Sequence, residues 1–224
     1  MRSSPIRACV VTNADVDHIA GLLTLRERQK LDLYATGATL AALAANPIFE
    51  VLAADCVMRK TIRLEEPFEP ASGLTVRAFS TPGKVALWLE GETVEIGGEG
   101  EGSVALELSH AGQRLVYAPG CAKVTPALRE RISGADVLLF DGTTFTDDEL
   151  IAAGLMAKSA QRMGHMPISG PGGSMTALAD IPVGRKIYIH INNSNPIMVE
   201  GSPERRQVEA AGWEVAYDGM EIVL

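Results

Sequence analysis

An apolar run, Ala8-Cys9-Val10-Val11, gives way to the polar stretch Thr12-Asn13-Ala14-Asp15-Val16-Asp17-His18 and then to an apolar helical pattern from Ile19 to Leu25. The change of period from strand to helix places Asp15, Asp17 and His18 in the turn between the two. Irregular backbone at a strand end can aim several side chains at one point, and carboxylates beside an imidazole are a ligand set for a divalent metal. Any fold for this chain has to accommodate that handover.

The rest of the sequence supplies strands first and a helix–strand alternation later. Leu31 to Ala35 reads as a strand, and Thr36 caps a helix from Gly37 to Ala45 that Asn46-Pro47 stops. Leu52 to Glu69 is ambiguous, with weak strand character at Lys60 to Leu64. Leu74 to Phe79 and Lys84 to Leu89 alternate like strands across Ser80-Thr81-Pro82-Gly83. Gly97 to Gly102 is an acidic loop rather than a dinucleotide fingerprint, because no helix follows it.

Val104 to Leu108 and Gln113 to Tyr117 form a predicted hairpin. Further predicted elements are a helix from Thr125-Pro126 to Ile132, a buried strand from Ala135 to Phe140, and a helix ending at Gly154 with Thr146 and Glu149 as its capping box. A short helix around Ser174 to Ala179, a strand from Lys186 to Ile191 and a helix from Pro203 to Ala211, capped by Ser202, follow. Trp213 to Ala216 and Met220 to Leu224 read as a closing hairpin. This order fits a layered α/β sandwich better than a purely parallel sheet.

With 224 residues, 46% of them hydrophobic, and no Pro/Ser-rich linker, residues 1–224 are expected to form a single domain. The net charge of −8, with no compensating basic cluster, argues against nucleic-acid binding. Cys9, Cys56 and Cys121 are far apart and outside any C-x-x-C pattern, which points to reduced thiols in a cytoplasmic protein. The opening Met1-Arg2-Ser3-Ser4-Pro5 lacks the apolar core of a signal peptide, and no apolar stretch is long enough to enter and cross a bilayer.

Four histidines are available: His18, His110, His165 and His190. His190 opens His190-Ile191-Asn192-Asn193-Ser194-Asn195-Pro196 after an apolar strand, a loop that is costly unless its polar groups are paired. It is read as a metal ligand or as a satisfied histidine in an asparagine-rich turn. His165, between Gly164 and Met166, is a candidate general acid, a group behind the ligands, or a packed side chain. His110 lies in a hairpin turn and is expected to face solvent. Asp141 ends a buried strand, where carboxylates line sites in α/β folds or cap the following turn.

Taken together, these motifs resemble a known family. Asn13 to His18 is similar to the H-x-H-x-D-H signature of the metallo-β-lactamase superfamily, with Asn13 and Asp15 where the first two histidines stand. Asp141-Gly142-Thr143-Thr144-Phe145, Met163-Gly164-His165, His190 to Pro196, and Ser202 to Arg205 with Ala211 to Met220 resemble landmarks of the coenzyme PQQ synthesis protein B family. The resemblance spans essentially the whole chain, least from about Asp55 to Gly102. It implies a metallo-β-lactamase-like four-layered αββα sandwich with mixed sheets. Members of that family usually carry a further N-terminal segment, so the chain is expected to lack the first strands and to leave an open sheet edge, which invites homodimerisation.

By the same resemblance, Asp17, His18 and His190 form one metal site, with Asp15 as a fourth ligand or as a brace for His18. The second superfamily site is dismantled, because a neutral amide such as Asn13 binds divalent metals weakly and Ala118-Pro119-Gly120-Cys121 stands where a bridging aspartate is expected. Cys121 is read by default as a buried structural thiol. Two imidazoles and one carboxylate match the triad of non-haem Fe(II) oxygenases, with Zn(II) as the rival occupant. The expected function is pyrroloquinoline quinone (PQQ) biosynthesis, through iron-dependent oxidation or hydroxylation of a precursor derived from a glutamate–tyrosine pair. In it His165 and Asp141 orient substrate or manage protons. The alternative is a soluble carrier that helps move PQQ or its precursor towards the periplasm.

Overall fold

The structure, a computed structural model, describes residues 4–90 and 96–224; residues 1–3 of the opening segment lie outside it. The first strand, β1 (Ala8–Val10), leads into α1 (Val16–Ile19), which continues as a 3-10 helix over Ala20–Leu25. Then come β2 (Leu31–Thr36), α2 (Gly37–Ala44), β3 (Val57–Ile62), β4 (Pro67–Ala71) and β5 (Leu74–Ser80). The hairpin β6 (Val104–His110) and β7 (Gln113–Ala118) precedes α3 (Pro126–Ile132) and β8 (Val137–Asp141). The chain closes with α4 (Glu149–Ala152), α5 (Ala160–Met163), α6 (Ser174–Ala177), β9 (Arg185–Ile189), α7 (Pro203–Ala210) and β10 (Trp213–Val215).

Two sheets result, the larger of them mixed. β1, β2 and β3 form a parallel sheet, and the second sheet runs β10-β9-β8-β7-β6-β5-β4. In the second sheet β7 to β10 pair in parallel, whereas β4 to β7 pair antiparallel. Side-chain alternation along each strand explains the layering. In β2, Leu31, Leu33 and Ala35 face one core with Leu22 and Leu43 from the helices, while Tyr34 faces the opposite way. Tyr34 meets Val76, Ala78, Val104 and Leu106, so the two sheets pack face to face. On the outer side of the larger sheet, Val116, Leu138, Phe140 and Tyr188 bury against Leu128, Leu178 and Val208. Helices, sheet, sheet and helices therefore stack as the αββα sandwich that the resemblance implied.

Caps account for several helix starts. Thr36, Thr125 and Ser202 each accept a hydrogen bond from the backbone N–H three residues on, as their sequence positions predicted. Three expectations need correction. Lys84 to Leu89 is not a strand: it ends in a 3-10 turn at Leu87–Leu89, held by Trp88 Nε1 donating to the carbonyl of Ala14 at 2.8 Å. The closing hairpin does not form; β10 pairs parallel with β9, and Val223 beyond it is 85% exposed. Thr146 does not cap α4, whose N-cap is Asp148, while Glu149 reaches back to the N–H of Phe145. The ambiguous Leu52–Glu69 segment holds β3 and the start of β4, and α5 carried no sequence expectation.

Candidate metal centre

The carboxyl ends of β1, β7, β8 and β9 converge on one rim of the sandwich. The backbone bridge between Asn13 and Ser103 ties the small sheet to the large one there. After β1 the chain turns at Asp15, which takes the N-cap position of α1 with its carbonyl accepting from His18 N at 2.9 Å. Asp17 and His18 thereby sit in the first turn of α1. Thr12 Oγ1 lies 3.1 Å from His18 Nδ1 and holds that ring from behind.

His190 follows β9 directly and adopts a left-handed backbone conformation, φ +53°. That region is unfavourable for a residue with a Cβ, and such strain collects at functional positions. In the loop that follows, the side chains of Asn192, Ser194 and Asn195 are all hydrogen-bonded. Asn195 is buried, donates to the carbonyl of Gly142 at 2.8 Å and accepts from Ile197 N. Asn192 donates to Ser194, whose hydroxyl bonds Glu149 at 2.6 Å. Gly142 is needed for close approach, since a Cβ there would lie 3.0 Å from Tyr188 Cβ and 3.1 Å from the Ile189 carbonyl.

These elements bring Asp17, His18 and His190 together, with one ligand atom of each within 4.8 Å of the others. His190 Nε2 stands 3.1 Å from His18 Nε2 and 2.9 Å from Asp17 Oδ2, and His18 Nε2 lies 3.9 Å from Asp17 Oδ2. Metal–ligand bonds of about 2.1 Å place neighbouring donors of a tetrahedral or octahedral ion roughly 3–3.5 Å apart, so the set fits a cation. Two facing imidazole nitrogens require a shared proton or a cation between them, and both Nδ1 atoms are already engaged elsewhere.

The electrostatics favour positive charge at the same point. The Asp17 carboxyl is lowered to about 2, chiefly by its hydrogen bond with His190. His18 is lowered by burial and by its neighbour His190. Burial works against a charged His190, yet the carboxylates of Asp141 and Asp17 prevail and push it up to about 10. The two carboxylates flanking His190 thus favour its charged form, while His18 beside it is held neutral.

A second cluster backs the first. Asp141, wholly buried, accepts from His165 Nδ1 at 2.7 Å, and His165 stacks on His190 with centroids 5.2 Å apart. Gly164, in the left-handed region at φ +89°, ends α5 and turns the chain so that His165 reaches inward. Burial alone would raise the Asp141 carboxyl, but His165 and His190 hold it well below the ordinary range. A cavity of about 300 Å³ opens over the rim, lined by Asp15, Asp17, His18, His165 and His190 with Lys84, Met156, Lys158 and Met163.

The remaining candidates fall into place against this geometry. Asp15 lines the cavity, but its carboxylate is outside the three-atom cluster. Asp141 has no surface on the cavity and reaches it only through its neighbours. Cys121 joins neither cluster: it is buried, its thiol donates to the Lys123 carbonyl, and its N–H donates to Asp141. His110 is exposed in its hairpin, as expected. Thr12 and Thr143 were missed. A hydroxyl two residues past a strand-end carboxylate, as in Asp141-Gly142-Thr143, was the available signal for the second.

Comparison with known proteins agrees with this architecture. Residues 1–191 match the family model described as the beta-lactamase superfamily domain. The coenzyme PQQ synthesis protein B of Methylobacterium nodulans is 55% identical over 224 residues, covering all of this chain and 75% of that protein. The chain belongs to the coenzyme PQQ synthesis protein B family. A solved structure of zinc-bound PqqB from Methylobacterium extorquens superposes with a TM-score of 0.97 at 54% identity, over 100% of this chain and 75% of that one. Beyond the family, unliganded yeast PDE1 shares the fold alone, with a TM-score of 0.65 at 14% identity over 96% of this chain and 67% of that one.

Proposed function

We propose that this protein acts in PQQ biosynthesis as a metal-dependent enzyme that oxidises or hydroxylates a tyrosine-derived precursor. One divalent metal, Fe(II) in preference to Zn(II), is held by Asp17, His18 and His190. The observation that carries this reading is the convergence of two Nε2 atoms and one carboxylate oxygen at the floor of an open cavity. A metal held by three protein ligands keeps coordination positions for substrate and dioxygen, the arrangement of non-haem iron oxygenases.

The chain's own residues supply the rest. Met156 and Met163 offer adaptable apolar walls for an aromatic ring. Lys84 and Lys158 bring positive charge to the cavity, where they suit the carboxylates of an amino-acid-derived substrate; Lys84 is oriented by its ion pair with Glu90 at 2.9 Å. His165, fixed through Nδ1 by Asp141, presents Nε2 to the cavity as a proton acceptor or donor. Asp15, on the same wall, braces the approach to His18.

Anaerobic loading with Fe(II), followed by oxygen uptake in the presence of a glutamate–tyrosine precursor, tests the proposal. Stoichiometric uptake is expected with iron and none with zinc. No uptake by iron-loaded protein, together with tight PQQ binding that persists in His18→Ala, would overturn it in favour of a carrier of PQQ or its precursor.

A further inference from the structure

We propose that Thr143 is a positioning residue for this centre: its hydroxyl, anchored on Asp141, takes the Nδ1–H of His190 and so turns the Nε2 lone pair of that ring towards the cation. The inference rests on the ligand reading above and adds a residue to it.

The argument is one of hydrogen-bond bookkeeping. A threonine hydroxyl has a single proton to give and two lone pairs to offer. Around Thr143 Oγ1 stand Asp141 Oδ1 at 2.6 Å, His190 Nδ1 at 2.9 Å, His165 Nδ1 at 3.1 Å and the His190 carbonyl at 3.2 Å. The proton goes to the shortest and charged acceptor, Asp141. That carboxylate only accepts, for it also takes the N–H groups of Cys121 at 3.0 Å and Thr143 at 3.1 Å and the ring of His165 at 2.7 Å. With its proton committed, Thr143 can meet His190 only as an acceptor. His190 Nδ1 must then carry hydrogen, and Nε2 is left for the metal.

Asp141 therefore sits at the root of both rings. One oxygen orients His165 directly, and the other orients His190 through Thr143; the contact of Asp141 Oδ1 with His190 Nδ1, 3.8 Å, is too long to do this unaided. Such partners behind a ligating histidine fix its tautomer and orientation. The strained backbone of His190 makes the tether more necessary, because nothing in its own φ favours the ligating pose.

The test uses zinc as probe on the full chain. In Thr143→Val the shape is kept and the acceptor lost, and zinc affinity measured by chelator competition is expected to fall roughly 10–100-fold. Thr143→Ser should restore it close to the parent. Nitrogen-15 spectra of histidine-labelled, zinc-loaded parent protein should show His190 with hydrogen on Nδ1 and metal on Nε2, a readout that does not depend on any variant folding. Metal on Nδ1, or Thr143→Val matching the parent while His190→Ala loses zinc, overturns the relay and leaves the ligand reading standing. If His190→Ala binds zinc as the parent does, it is the ligand reading that fails.

Discussion

The histidines of the rim differ in what lies behind them, and this separates their roles. His190 is held between Asp17 and Thr143, His165 between Asp141 and the cavity. We predict that His190→Ala abolishes metal binding, whereas His165→Ala retains the metal and lowers activity; metal analysis of the two purified variants decides. The thiols offer a second check at this scale. Burial pushes Cys121 far above the usual thiol range, with the Asp141 carboxylate adding to it, whereas Cys56 is only half-buried. A thiol-reactive dye should label Cys56 in the folded protein and Cys121 only after unfolding. Asp17 and His18 were marked as candidates by their residue types at a strand end, whereas their grouping with His190 came through the family resemblance. Thr12 and Thr143 were not singled out: an isolated threonine such as Thr12 carries no mark of the ring it will touch, and at Thr143 the one local signal was its spacing from Asp141.

At the scale of elements, capping and packing can be tested without reference to chemistry. Ser202 accepts from Arg205 N at 3.0 Å and donates to the Pro196 carbonyl, joining α7 to the loop after His190. Ser202→Ala should lower stability by about 1 kcal/mol in urea denaturation. Gly184→Ala should cost about 1–3 kcal/mol, because a Cβ there would lie 2.5 Å from the Asp136 carbonyl beside the start of β8. Elements with strong local signals were readable: α3 and α7 from a hydroxyl cap followed by proline, β8 from its apolar run. The failures share a cause. Lys84 to Leu89 alternates in sequence but ends in a 3-10 turn where Trp88 is held by the distant Ala14 carbonyl, and the last residues have β-like composition yet leave the outer edge of β10 unpaired. Neither fact is local.

Over the whole molecule, the sheet-to-sheet core formed by Tyr34, Ile62, Val76 and Val104 couples the layers. We propose that residues 1–224 unfold as one unit, and calorimetry should show a single transition; two resolved transitions would contradict this. The outer edge of β1 has no partner strand among the described residues. Association into a dimer through that edge is the expected outcome in sedimentation velocity, and a stable monomer would refute it. Among the described residues no helix is long and apolar enough to cross a membrane.

The donors Asp17 and His18 stand 173 and 172 residues from His190 along the chain. While the polypeptide is still emerging from a ribosome, the nitrogen that completes the trio has not been made, and the layer that carries it is not yet built. On the proposed ligand set, a cation can be captured by all three donors only after residue 190 has been made, so which ion is acquired would depend on what the surroundings offer at that moment as well as on the ligands themselves.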